Sequence, residues 1–275
     1  MECQVRDIAI HYEEVGAGRP LIALHGLPLD HRHVFDDLEA LFGQRQGWRR
    51  IYPDLPGMGQ TRPAEWITHQ DHMLDVVLGF IDVVAPDGHF VLAGASYGSY
   101  LARAVAYRWG ARLDGLMLYV PVMKPPDQRA NLPERVVLKQ DQAYLDALTT
   151  AELDLHDWIV VQSTELLQDV RKSILVAPPL ADQQFLQRLF SNYAFSFDVN
   201  SLLEPFLAPC LFLTGRQDNW CGYRDAYELL EDYPRATYVV LDRAGHGLAI
   251  EQKSLFRALV GEWLDRVEEY AKQYH

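Results

Sequence analysis

One segment of the sequence, Gly94-Ala95-Ser96-Tyr97-Gly98, sets a hydroxyl nucleophile between two glycines. It follows an apolar run at residues 90–93 and precedes a stretch, 97–109, with helical patterning. A strand that turns abruptly into a helix forces its central residue into a strained backbone conformation, and small neighbours let the two elements approach closely. The hydroxyl then stands at the start of the helix, where unpaired N–H groups can stabilise a developing oxyanion. Such a geometry suits attack on a carbonyl. A serine hydroxyl is hardly ionised near neutral pH, so it needs a base within hydrogen-bond reach and a group that orients the base. Among ten histidines, His246 is the expected base. It lies in Arg243-Ala244-Gly245-His246-Gly247, directly after the apolar run 239–241, in a loop that glycines keep tight. Asp218, just beyond the apolar run 211–213, is the expected orienting carboxylate. Read alone, it would be a turn aspartate capping the next helix. Asp127 is the reserve, set off from its strand by Lys124-Pro125-Pro126.

The elements that must hold these residues alternate short apolar runs with longer helical patterns, which reads as βαβ units and a mostly parallel sheet. Strands are expected at 8–15, 20–24, 50–52, 90–93, 116–120, 210–214 and 237–241. Helices are expected at 69–84 and 97–109, and a closing helix at about 252–271. His31 and His33 open another helix and stand where they could touch substrate. After Val120 the pattern changes. Residues 122–205 read as helical, without a clear strand, and carry amphipathic stretches at 144–161 and 182–193. This helical insertion is expected to form a lid over the carboxyl ends of the strands, where open α/β sheets bind their ligands. Its aromatic residues, Trp158, Phe185, Phe190, Tyr193, Phe195 and Phe197, are expected mainly to pack the lid, with some lining an apolar pocket that Trp220 and Cys221 border.

Composition narrows the partners. With 49% apolar and 23% charged residues over 275 positions, the chain can bury a substantial core. A net charge of −13 repels phosphate backbones and anionic lipid, so nucleic acid and membrane surfaces are not expected partners. Met1 to Ile10 hold no apolar signal-type run, and no stretch approaches the roughly 18 apolar residues of a spanning helix. An odd set of three cysteines does not read as a disulfide framework. The expectation is a cytoplasmic protein acting on a small molecule, with a homo-oligomer left open. No Cys/His spacing for zinc and no Gly-rich nucleotide fingerprint occurs, so neither metal nor organic cofactor is expected.

Together these segments resemble the α/β-hydrolase superfamily over nearly the whole chain. The resemblance rests on His25-Gly26-Leu27-Pro28 after one strand and Asp54-Leu55-Pro56-Gly57-Met58-Gly59-Gln60-Thr61 after the next. It continues with residues 94–98, Gly215-Arg216-Gln217-Asp218 and Gly245-His246, all in the family's order. It implies an α/β-hydrolase fold: a mostly parallel eight-stranded sheet flanked by helices, with a core of residues 1–121 and 206–275 and a helical cap at 122–205. It also implies an oxyanion hole made by the backbone N–H groups of Leu27 and Tyr97, since Pro28 has no N–H to give. The loop from Asp54 to Thr61 is implied to hold structure at the base of the site.

Departures from the family's subgroups narrow the reaction. Epoxide hydrolases and haloalkane dehalogenases carry Asp at the elbow, and this chain has Ser96. Proline iminopeptidases carry His-Gly-Gly-Pro-Gly, which is missing. Dienoate C–C hydrolases commonly show Gly-x-Gly-Pro after the first His-Gly and a Trp after the last histidine; here stand Leu27-Pro28-Leu29 and Gly247. Carboxylic ester hydrolysis through a Ser96–His246–Asp218 triad fits best. C–C, thioester or perhydrolysis on the same residues, and a non-catalytic receptor with this fold, remain the rival readings.

Overall fold

The computed structural model describes residues 1–86, 88–150, 152–153 and 158–274. Strands β1 (Glu2–Val5), β2 (Ile8–Gly16), β3 (Arg19–Leu24), β4 (Trp48–Pro53), β5 (Phe90–Ala95) and β6 (Leu113–Tyr119) come first along the chain. After β7 (Lys139–Gln140) and β8 (Val161–Gln162), the chain adds β9 (Cys210–Gly215) and β10 (Ala236–Leu241). Eight of these form one sheet in the order β1-β2-β4-β3-β5-β6-β9-β10. Only β2 runs against the rest, pairing antiparallel with both β1 and β4. The short N-terminal strand β1 carries too few alternating positions to be read from sequence.

Central strands β5, β6 and β9 are buried at every position, as a parallel sheet covered on both faces requires. Side chains alternate between the faces. Ile22, Leu24, Leu92 and Leu116 meet the helices α2 (Gln70–Val84) and α3 (Tyr97–Trp109) on one side. Leu21, Ala23, Val91 and Met117 meet α1 (His31–Phe42) and the C-terminal helix on the other. Helix α1 starts where Asp30 caps it, its carboxylate accepting the N–H of Arg32 at 3.0 Å.

Between β6 and β9 lie α4 (Gln142–Ala147), α5 (Thr164–Ser173) and α6 (Gln183–Phe190). The expectation of helices without strands fails here: β7 and β8 pair in parallel as a separate two-stranded sheet. Two residues per strand are too few to leave an alternation signature. The expected amphipathic stretch 144–161 is α-helical only to Ala147, with 3-10 conformation at residues 150, 152 and 153, and residues 151 and 154–157 of it lie outside the described residues. Helix α7 (Arg224–Tyr227) separates β9 from β10, and α8 (Leu248–Glu251) and α9 (Lys253–Tyr274) close the chain.

Arg103 of α3 ties both ends of the intervening segment to that helix. Its fully buried guanidinium donates to the carbonyls of Val122 at 2.9 Å and Met123 at 3.1 Å, and to Asn200 Oδ1. No helix among the described residues is long and apolar enough to cross a membrane.

Candidate active site

The turn from β5 into α3 puts Ser96 at φ +50° and ψ −114°, a conformation that non-glycine residues adopt only when the surroundings impose it. The flanking glycines are steric necessities. A Cβ at Gly94 would lie 2.5 Å from the Gly98 carbonyl oxygen, and one at Gly98 would lie 2.1 Å from the Leu24 carbonyl oxygen. The latter contact joins backbone to backbone, so no side-chain rotation relieves it. Gly98→Ala should therefore lower the melting temperature by about 5–10 °C, following from the roughly 1–3 kcal/mol of overpacking and the few degrees each kcal/mol is worth at this size. Gly261→Ala, in open space on α9, should raise it slightly. Thermal melts of both variants check the contrast, and equal melting temperatures would refute it.

The three sequence-derived candidates meet at this turn. His246 Nε2 lies 3.0 Å from Ser96 Oγ, and His246 Nδ1 lies 3.0 Å from Asp218 Oδ2. Asp218 is fully buried and accepts the backbone N–H groups of Trp220 and Cys221 on Oδ1, each at 2.9 Å. Burial opposes its ionisation, yet His246 and these two donors hold its carboxyl below the usual range. Burial likewise opposes a charged His246; the Asp218 carboxylate outweighs that and raises the imidazole above its ordinary value, with Cys221 acting the same way. The reserve residue Asp127 stands exposed on a single 3-10 turn, Pro126–Gln128, and does not approach His246. The strand end after the elbow helix reaches the site through Tyr119 and Val120, but the carboxylate that hydrogen-bonds His246 is Asp218, beyond β9.

Asp218, Cys221 and His246 also bring carboxylate, thiol and imidazole atoms within 4.8 Å of one another, a donor set suited to zinc. Both imidazole nitrogens are already engaged, one on Asp218 and one on Ser96. A metal would compete for the same atoms as the hydrogen-bonded row.

Leu27 and Tyr97 flank the serine from the β3 loop and the start of α3. Among the described residues neither backbone N–H is spent on a hydrogen bond. The loop from Asp54 is held as a structural base. Asp54 Oδ1 accepts the backbone N–H of His31 at 2.8 Å and lies 2.8 Å from its Nδ1, while Oδ2 accepts the N–H of Gln60 at 2.8 Å. His31 therefore belongs to this support, whereas His33 lines the site.

A cavity of about 190 Å³ opens above Ser96 and His246. Leu27, Pro28 and Leu29 line it from the core, and Ile174, Leu175 and Pro178 from the intervening segment. Trp158 and Trp220 also line it, their ring centroids 6.2 Å apart, with Trp220 5.1 Å from the His246 ring. Of the six aromatic residues singled out in the insertion, only Trp158 lines this cavity. Phe185 packs on Gly57, Tyr193 and Phe195 on Tyr100, and Phe197 on Tyr107. Cys221 touches the Asp218 loop rather than the cavity. Trp158 also explains the glycines beside His246. A Cβ on Gly247 would lie 2.9 Å from its ring, and one on Gly245 would lie 2.5 Å from its carbonyl oxygen.

Sequence reasoning missed Glu251. Its buried carboxyl accepts Val160 N–H at 2.6 Å and Val161 N–H at 3.1 Å from the insertion, and Gly245 N–H at 2.6 Å from the histidine loop. One side chain thus ties the loop of His246 to the segment above it. Burial pushes this carboxyl up to about 7 against the three donors.

A model of the alpha/beta hydrolase family matches residues 21–258. The AB hydrolase superfamily protein YisY of Bacillus subtilis is 28% identical over 271 residues, 93% of this chain and 95% of that protein. The 2-hydroxy-6-oxononadienedioate/2-hydroxy-6-oxononatrienedioate hydrolase of Burkholderia vietnamiensis is 26% identical over 272 residues, 94% of this chain and 92% of that protein. Among solved structures, an alpha/beta superfamily hydrolase from Oenococcus oeni is 27% identical, with a TM-score of 0.86 over 98% of this chain and 99% of that one. A thermophilic esterase from Thermogutta terrifontis is 25% identical, with a TM-score of 0.69 over 97% and 98% of the two chains.

Proposed function

The chain belongs to the α/β-hydrolase family, and from that premise we propose that it hydrolyses carboxylic esters of small to medium substrates through an acyl-enzyme on Ser96. The observation that carries this reading is the continuous row Ser96 Oγ, His246 and Asp218, with 3.0 Å at each junction, at the floor of an apolar cavity. Neutral His246 keeps its proton on Nδ1 toward Asp218, leaving Nε2 to accept the Ser96 proton as Oγ attacks the ester carbonyl. The tetrahedral oxyanion draws on the N–H groups of Leu27 and Tyr97; losing one such donor typically costs about 10²–10³ in rate. His246 then gives its proton to the leaving alcohol, the C–O bond breaks, and water repeats the sequence on the acyl-enzyme. The cavity volume falls below the roughly 300 Å³ at which pockets enclose drug-sized ligands, which favours short chains.

A second reading, C–C bond hydrolysis on the same residues, has the Burkholderia relative in its favour. That relative's named substrates are dianions, and the cavity of this chain is lined by no Lys or Arg among the described residues. A panel of p-nitrophenyl esters from acetate to octanoate, run beside a 2-hydroxy-6-oxo-dienedioate, separates the two. We expect turnover of the short esters and labelling by a fluorophosphonate probe. Faster turnover of the dienedioate would replace the ester reading, and a protein that neither labels nor turns over any ester would be a receptor.

A further inference from the structure

Three polar side chains in the cavity wall have no part in the acyl-transfer scheme. Asp37 of α1 has a side chain only 5% exposed. Tyr119, the last residue of β6, donates its hydroxyl to Asp37 Oδ2 at 2.8 Å. His33, one turn earlier on α1, holds Nε2 3.8 Å from the same oxygen. Its Nδ1 accepts the backbone N–H of Gly26 at 3.3 Å, so the neutral ring carries its proton on Nε2, toward Asp37. Burial, with His25 and His246 nearby, pushes His33 down to about 3, so the ring is neutral throughout the working range. Both neighbours are therefore donors facing Oδ2. The other oxygen, Oδ1, takes no hydrogen bond from any described residue, although Asp37 lines the cavity. A carboxylate oxygen that keeps accessible surface and has no protein donor is a place for a ligand's donor atom.

The surroundings say which kind. No Lys or Arg lines the cavity among the described residues, and Trp158 and Trp220 contribute aromatic rings, a residue type that attracts cations. A surface groove behind the wall shares Asp37, Ala249 and Ile250 with the cavity. It carries Asp36, Glu39 and Asp169 against Lys172, Lys253 and Arg257. Lys172 is paired with Asp36 and Lys253 with Asp169, so neither neutralises Asp37 directly. A chain of net charge −13 further concentrates cations and repels carboxylates.

Building on the ester-hydrolase reading, we propose that Asp37 is a substrate-recognition residue and that preferred substrates carry a protonated amine, in the acyl or the alcohol part, that donates to Asp37 Oδ1. The ammonium would take the place that no protein group fills, in a cavity that Trp158 and Trp220 also line. Recognition of this kind depends on ionised Asp37. Burial pushes its carboxyl up to about 7, Asp36 and Asp169 push the same way, and the Tyr119 hydrogen bond and Lys253 oppose them. Preference for an amine should thus grow from pH 6 to pH 8. His246 titrates for every substrate alike, so a ratio of substrates isolates Asp37.

Two isosteric pairs test the proposal by kcat/KM: ethyl 4-aminobutyrate against ethyl pentanoate, and 2-(dimethylamino)ethyl butyrate against 3-methylbutyl butyrate. We expect a preference of about tenfold or more for the cationic member of at least one pair at pH 8, shrinking at pH 6. In Asp37→Asn the ratio should fall toward one, whatever happens to the absolute rates. Because that variant could fold poorly, binding of n-pentylammonium and of 1-pentanol to the wild-type protein is measured by calorimetry, with tighter binding of the ammonium expected. Equal or weaker ammonium binding, or neutral esters matching their cationic partners in both pairs, would overturn the proposal. Ester turnover without a preference removes this inference alone. Ammonium preference in binding without any ester turnover removes the ester reading and leaves the recognition site standing.

Discussion

Ser96→Ala should melt like the wild-type protein and lose ester turnover by on the order of 10⁵–10⁶-fold, together with all fluorophosphonate labelling. Folding is expected to survive because, among the described residues, the hydroxyl makes a single hydrogen bond, with His246 Nε2 at 3.0 Å. The backbone that fixes the elbow is untouched. Ser96 N–H still donates to the Tyr119 carbonyl at 3.0 Å, and Ser96 O still accepts the Ser99 hydroxyl at 2.5 Å. The strain at φ +50° is shared by alanine and serine. Activity is expected to collapse because, among the described residues, no other hydroxyl hydrogen-bonds His246 Nε2. What remains would be the small acceleration that the N–H groups of Leu27 and Tyr97 give to attack by water. Calorimetry, probe labelling and p-nitrophenyl butyrate kinetics on one preparation check the three parts. A variant that keeps more than about one hundredth of the wild-type rate would show that Ser96 is not the nucleophile.

The elbow could be read from sequence because its constraint is local. Gly94 and Gly98 are required by backbone atoms four residues apart or on the adjoining strand, and the apolar run before them fixes which loop they form. His246 and Asp218 were legible for a related reason: each follows an apolar strand end, β9 buried throughout and β10 closing on Val239, Val240 and the buried Leu241. The polar group around Asp37 was not. On α1 the sequence His31-Arg32-His33-Val34-Phe35-Asp36-Asp37 reads as a solvated face beside a buried one, and Asp36 and Asp37 look alike. Only the tertiary approach of Tyr119, 82 positions away, turns one of them inward. Glu251 escaped notice in the same way, because its partners Val160 and Gly245 meet only once the insertion lies over the histidine loop. Pairing of β7 with β8 left no signal either, since two-residue strands carry no pattern of their own. His31 and His33 were equally good candidates by position, and two positions on α1 separated their fates: Asp54 takes the first and the cavity the second.

Asp218→Asn should keep the fold and lower kcat by about 10⁴-fold, the scale seen when an orienting carboxylate becomes an amide. The direction follows from the hydrogen bonds around the carboxylate. Oδ1 accepts two backbone N–H groups, from Trp220 and Cys221. An asparagine must keep its carbonyl oxygen there, since turning the amide would set its NH₂ against two donors in a fully buried site. The NH₂ group then faces His246 Nδ1, and that nitrogen has to accept. The imidazole proton moves to Nε2, facing Ser96, and the ring can no longer take the serine proton. The pH profile should move as well. In the wild-type protein the carboxylate holds the His246 pKa above its ordinary value, so activity rises with pH as the imidazole loses its proton above that value. Without the carboxylate the imidazolium is less favoured, and the acid limb of kcat/KM should shift to lower pH even as its plateau falls. Kinetics from pH 5 to 9, with a proton spectrum that follows the downfield Nδ1–H resonance, measure both effects. A loss smaller than tenfold, or an acid limb that stays in place, would mean that Asp218 sets neither the tautomer nor the charge of His246.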